Sequence, residues 1–186
     1  MHIETERLRL RVWEEADRHH FATLNADPVV MGDLGGPLSR DDSDAKLDRY
    51  LEAWGNNGYG RWLVETISGT FVGYCGVMPV RANHPIGSHD EIGWRLIRDA
   101  WGHGYATEAA RAALIDVFRR VNLMEVLAYT DAQNIRSQAV MRRLGLRRDA
   151  SRNFAIDSDR LGTWRGLVWT AHESFASAGA LPTADR

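Results

Sequence analysis

Gly102-His103-Gly104, with the alanine-rich stretch behind it, is the part of this chain best equipped for chemistry. Alternating apolar residues (Ile92, Trp94, Leu96) run up to it, and Ala106, Ala109, Ala110, Ala113, Leu114 and Val117 recur after it at helical spacing. Strand, glycine turn and helix start together aim unpaired backbone N–H groups and a helix dipole at an anion. Glycine at 102 and 104 removes side chains where a phosphate must approach closely. The segment reads as a phosphate cradle.

Three ligands suit such a turn. A dinucleotide fold needs G-x-G-x-x-G opening its first βαβ unit, but the third residue after Gly104 is Thr107 and the turn lies mid-chain. A P-loop needs G-x-x-x-x-G-K-[ST], which the sequence lacks. The third, coenzyme A, is the ligand that a family resemblance of this stretch implies. Elsewhere, no spacing of His, Cys, Asp or Glu resembles a closed metal site, so no metal is expected. His19 and His20 are adjacent on an expected helix and point different ways. Cys75, in the apolar run YCGV, reads as a buried structural thiol.

The positioning elements follow from periodicity and punctuation. Glu6 to Trp13 alternates as a strand, and a helix is expected from about Glu14 to Asn25, ending before Asp27-Pro28. Ser39 to Asp42 has capping-box spacing ahead of a second helix stopped at Gly55-Asn56-Asn57-Gly58. Arg61–Ile67 and Thr70–Val80 form a hairpin at Ser68-Gly69, followed by a polar loop, Arg81–Asp90. The Glu91 strand, the cradle and a helix to about Arg120 come next, then a strand over Glu125–Thr130 and a helix over Asn134–Leu144 closed by Gly145. Strands near Arg147–Ile156 and Thr163–Ala171 complete an α/β fold with a mixed sheet covered by the helices at 105–120 and 134–144.

The stretch DAWGHGYATEAA resembles motif A of the GCN5-related N-acetyltransferases (GNAT), [QR]-x-x-G-x-[GA]. Asn134 opens a second matching motif, N-x-x-[AS], running on as NIRSQAVMRRLGL to Gly145-Leu146. The opening ETERLRLR and the ending GTWRGLVW resemble the RimJ/RimL-type branch, which acetylates N-termini of ribosomal proteins. The likeness covers about residues 3 to 172. Asp99 departs from it, standing where Gln or Arg is usual, with Arg98 and His103 as candidates to compensate.

The resemblance implies one domain over 1–176 with a frayed tail over 177–186. It also implies a twisted, largely antiparallel sheet of about six to seven strands, about four helices, and a V-shaped splay between central strands. Acetyl-CoA would be the cosubstrate. Its pantetheine arm would pair with backbone around Leu96 and Ile97, and Gly102, His103, Gly104, Tyr105 and Ala106 would give N–H groups to the pyrophosphate, with Thr107 in the same turn. Asn134 would hold the pantetheine amide. Arg142 either reaches the 3′-phosphate or belongs to a solvated helix face.

The acceptor implied is a primary amine, which must be neutral to attack. A lysine ammonium is deprotonated about once in 2,500 at pH 7, an α-amine roughly once in six to ten, so an N-terminal acceptor asks less of its base. Glu91 is the candidate base, acting directly or through water. Many family members place a tyrosine where Met141 stands, so Ser137 is the nearest hydroxyl to hydrogen-bond the leaving thiolate. No residue suggests a covalent acetyl-enzyme, so direct transfer in a ternary complex is expected. Glu108, in the motif's "tEA" position, reads as structural. His84 and His89 either line the acceptor mouth or are solvated, and the tryptophans are core or pocket floor. A small-molecule amine (amino acid, polyamine or antibiotic) is an alternative acceptor, and a non-catalytic acyl-CoA sensor an alternative class.

The 186 residues are 44% hydrophobic and 26% charged, enough for one domain with a full core. A net charge of -2 offers no basic field, which argues against nucleic acid. No apolar run approaches the ~18 residues that cross a membrane. The charged opening MHIETERLRLR and the lone cysteine fit a cytoplasmic protein. Family habit and the tryptophan-bearing final strands allow a homodimer, which no motif requires.

Overall fold

The computed structural model describes residues 1–158 and 162–178. Nine strands make one sheet: β1 (His2–Glu4), β2 (Leu8–Arg11), β3 (Arg61–Thr66), β4 (Phe71–Val80), β5 (His89–Leu96), β6 (Glu125–Asp131), β7 (Arg147–Arg148), β8 (Phe154–Ser158) and β9 (Gly162–His172). The helices are α1 (Arg18–Ala26), α2 (Arg40–Asn57), α3 (Tyr105–Asp116), α4 (Ile135–Leu144) and the short α5 (Ser174–Ala178). Of the expected frayed tail, Ser177 and Ala178 belong to α5, and 179 onward lies outside the described residues.

The sheet order is β1-β2-β3-β4-β5-β6-β9-β7, with β8 pairing β9. Every neighbouring pair is antiparallel except β5 and β6. That parallel pair requires a crossover, which α3 supplies. The two extra strands have local causes. His2–Glu4 pairs with β2 as a hairpin edge, and Asp149 accepts from the Ser151 N–H, turning the expected Arg147–Ile156 strand through a short 3-10 helix.

Burial follows the sequence pattern. Leu8 and Leu10 are fully buried between the partly exposed Arg9 and Arg11, as the two-residue alternation requires. One core lies under α3 and α4, where Ala109, Ala110, Ala113 and Leu114 let α3 sit close on β4 and β5. The other lies under α1 and α2 and gathers Trp13, Phe21, Leu24, Leu47, Tyr50, Leu63 and Tyr74. Caps fix the helix ends: Ser39 Oγ accepts from Asp42 N–H at α2, and Asn134 Oδ1 accepts from Ser137 N–H at α4. After α3 the chain makes a π-helical turn, Val117–Val121, instead of carrying the α-helix to Arg120.

The junction between β5 and β6 positions the site. β5 pairs with β4 along its whole length, from His89 opposite Val80 to Leu96 opposite Gly73. With β6 it pairs only where Glu91 faces Leu127. Beyond Glu91 the two strands part. The central sheet is therefore split by a V, with Trp94 and Leu96 on one arm and Asn134 beyond the end of the other.

Candidate active site

The V opens into a cleft of about 2240 Å³, larger than the ~300–1,000 Å³ of an ordinary small-ligand pocket. One end is the glycine turn. Gly102 and Gly104 both take φ +82°, and a Cβ on Gly102 would meet open space. The first backbone bonds of α3 run from Thr107 and Glu108 N–H to Gly104 C=O, so N–H groups from Gly102 to Ala106 have no backbone acceptor among the described residues. Thr107, which lines the cleft, carries a buried hydroxyl without a partner. Free amides, a helix dipole and an unpaired hydroxyl converge here, a donor set that fits a diphosphate.

The cleft gathers Leu96, Gly102, His103, Gly104, Tyr105, Ala106, Thr107, Asn134 and Ser137. It does not gather all the expected residues. Ile97 packs between the two cores, and exposed Arg98 turns outward to Asp27, Nε to Oδ2 at 2.9 Å. Arg142 is exposed and off the cleft wall, which Arg111, Arg136 and Arg143 line instead. Asp99 is exposed as well.

Glu91 is not on the cleft wall either: it stands at the root of the V, where β5 last pairs with β6, on the face shared with α1 and α2. Its Oε2 accepts from Arg61 Nη2 at 2.5 Å. Arg61 is buried, and its Nη1 also donates to the carbonyls of Gly76, Glu91 (3.0 Å) and Gly93 (3.3 Å). Glycine at 93 makes this seat, since a Cβ there would lie 2.8 Å from Nη2. Tyr129, which feels the charges of Glu91 and Arg61, belongs to an aromatic cluster with His84, His89, Phe154 and Trp164, its ring stacked on that of His84 at 5.3 Å. Burial, and then the Glu91 charge, push the Tyr129 phenol up, while burial and His89 hold His84 below its ordinary value. Neither histidine is freely solvated.

A second carboxylate was not signalled by any motif. Asp33, between α1 and α2, accepts from Arg95 Nη1 at 2.8 Å and from Asn134 Nδ2 at 2.7 Å, joining both arms of the V. Arg61 carried a faint signal, an arginine opening the apolar strand RWLV. Asp33 carried none.

Other readings meet their structural surroundings. Glu108 holds the β1–β2 loop, accepting from the Thr5 hydroxyl at 2.6 Å and the Arg7 N–H at 3.0 Å. Cys75 is buried, and burial pushes its thiol up to about 12. Met141 is buried. Trp62 and Trp169 are core, while Trp94 and Trp164 line the cleft. No metal-holding group of His, Cys, Asp or Glu exists among the described residues, and no helix there is long and apolar enough to cross a membrane.

A split parallel pair with an amide cradle at its mouth is the architecture of an acetyltransferase fold, and comparison with known proteins agrees. Residues 7–147 match the Acetyltransferase (GNAT) domain, and the chain belongs to that family. It is 34% identical to the uncharacterized protein YkkB of Bacillus subtilis, over 77% of this chain and 84% of that one. It is 32% identical to the FsC-acetyl coenzyme A-N(2)-transacetylase of Aspergillus fumigatus, over 77% of this chain and 64% of that one. The Agrobacterium tumefaciens acetyltransferase structure superposes with TM-score 0.77 at 29% identity, covering 92% and 94% of the two chains. Two structures share the fold at lower identity. The spermidine N-acetyltransferase of Vibrio cholerae has TM-score 0.74 at 16%, covering 93% and 99%. The RimL ribosomal L7/L12 α-N-protein acetyltransferase has TM-score 0.72 at 14%, covering 92% and 98%. The protein is a GNAT N-acetyltransferase.

Proposed function

We propose that this acetyltransferase uses acetyl-CoA and passes the acetyl group to a primary amine, by direct attack with both substrates bound. The observation that carries the reading is the row of uncommitted amides from Gly102 to Ala106 at the mouth of the split between β5 and β6. Bound there, the coenzyme supplies an activated thioester carbonyl. The chain's own work is positioning and proton handling. The cradle holds the diphosphate, Leu96 offers its N–H to the pantetheine (its carbonyl already accepts from Trp101 Nε1 at 2.9 Å), and Asn134 faces it across the cleft.

Glu91 is the proposed base. Arg61 takes its Oε2, and Oε1 is left to accept a proton from the amine or from an intervening water. Ser137 is the proposed hydrogen-bond donor to the departing sulfur, on the first turn of α4 beside Asn134. The acceptor this reading favours is a protein N-terminal α-amine, supported by the RimJ/RimL-like opening and ending and by the smaller demand an α-amine places on its base.

Two measurements test the proposal: calorimetry with coenzyme A, and acetyl transfer to a panel of N-terminal peptides and small amines. Binding with turnover on peptides is expected. Turnover confined to small amines would move the acceptor to that class. Binding with no turnover on any amine would make the chain a sensor, and no binding would end the reading.

A further inference from the structure

We propose that Arg7 is a ligand of the coenzyme's diphosphate, its guanidinium closing the amide cradle from the loop between β1 and β2. The inference rests on the coenzyme A reading above and adds to it a cation that the glycine motif does not contain. The usual motif residue is replaced by Asp99, which is exposed and off the cleft wall, and neighbouring Arg98 is committed to Asp27.

Arg7 is held over the start of α3 from two sides. Its Nε donates to Glu108 Oε2 at 2.8 Å, with Nη2 2.6 Å from the same oxygen, and its Nη1 donates to the His103 carbonyl at 2.9 Å. The His103 contact lies inside the cradle itself. Nη2 is 3.4 Å from the point a Cβ on Gly104 would occupy, and the guanidinium stands 5.0 Å from the Tyr105 ring centroid. A guanidinium has five N–H groups, of which Glu108 and His103 engage three, leaving two to offer. The side chain is 45% exposed and lines the cleft, unlike the buried Arg61. An arginine already fixed by its neighbours loses little rotamer freedom when an anion arrives, and its planar fork suits a phosphate. On this reading Glu108 has a use beyond holding a loop, because it aims a cation at the amides.

The test is calorimetry on the whole chain with three ligands: coenzyme A, its dephospho form lacking the 3′-phosphate, and pantetheine lacking the diphosphate. Arg7→Gln is expected to weaken the first two alike by about tenfold or more and to leave pantetheine within about twofold of the parent. Arg7→Lys, which keeps the charge and the fold but not the fork, is expected to fall between. Unchanged affinity for coenzyme A in Arg7→Gln would overturn the assignment. So would equal loss for all three ligands, the mark of a loosened loop, or loss for coenzyme A alone, which would put the contact at the 3′-phosphate. A parent chain that binds none of the three would overturn the coenzyme reading itself, a separate result visible before any variant is made.

Discussion

Arg61 and Glu91 form an ion pair beneath the point where β5 and β6 part, with the arginine buried and the carboxylate partly exposed. Oε2 is fixed by Nη2, and in the proposed mechanism Oε1 is the oxygen that takes the proton. Glu91→Gln is expected to lower kcat by about 10²-fold or more while leaving coenzyme A affinity unchanged. Full activity in that variant, read by steady-state kinetics, would remove Glu91 from the mechanism. Arg61→Met strands a carboxylate and three carbonyls, and is expected to cost about 3–5 kcal/mol in urea unfolding. Part of that loss should return in Arg61→Met/Glu91→Leu, since the second change removes the stranded charge.

Ser137 is tested by a smaller effect. A hydrogen bond to a departing thiolate is worth about 1–2 kcal/mol, so Ser137→Ala should lower kcat by about tenfold with little change in melting temperature. Met141→Tyr at the buried next turn is not a clean rescue, because a phenol has no room where Met141 is 2% exposed. A series of acyl-thioester donors with leaving thiols of falling pKa separates the roles. The Ser137→Ala defect should shrink as the thiol becomes a better leaving group, and a constant defect would make the serine structural.

What the sequence discloses here is local, and what it conceals depends on pairing. The caps at Ser39, Asn134 and Gly145 and the turn at Gly102–Gly104 are decided by neighbours within a few residues, so their chemistry reads directly. His2–Glu4 is a strand only because β2 lies beside it, and three residues carry no period of their own. The break at Asp149 hides in a run of strand-like spacing because one side-chain bond decides it. Arg61 meets Gly76, Glu91 and Gly93 only after three strands align, and Asp33 meets Arg95 and Asn134 across 62 and 101 residues. No window along the chain contains those relationships.

Acid should weaken the anchor of the first helix. Asp17, 5% exposed, accepts from Arg11 Nη1 and Nη2 at 2.7 and 2.8 Å and from Glu14 N–H at 2.8 Å. Burial pushes its carboxyl up, but the arginine and the backbone bond outweigh it and leave the group below its ordinary 3.8. The folded chain therefore holds this site deprotonated where the unfolded chain is already protonated. The resulting stability is present above the ordinary value and is lost as pH falls through the folded one. Urea midpoints should start to drop near about pH 5 and keep dropping as pH falls on past the ordinary carboxylate value. Asp17→Asn should be less stable at neutral pH, by about 2 kcal/mol, and should show a flatter acid limb. An unchanged limb would move the acid sensitivity to another carboxylate.

Asp33 is the bridge whose removal should be felt by the cofactor. Its two oxygens are divided between Arg95 on β5 and the Asn134 amide at the start of α4, so one side chain fixes the distance between the arms and the orientation of the amide. Asn134 Oδ1 is meanwhile occupied by the Ser137 N–H, so the amide cannot rotate without uncapping α4. Asp33→Ala is expected to raise KM for acetyl-CoA by about tenfold, the worth of one charge-assisted bond, with a smaller fall in kcat. Asp33→Asn, which still accepts from Asn134 but no longer pairs with Arg95, should lie between. Because the carboxylate joins the two arms and has no part in the proposed proton transfers, its loss should appear in KM before kcat. A variant with normal KM and depressed kcat would place Asp33 on the acceptor instead.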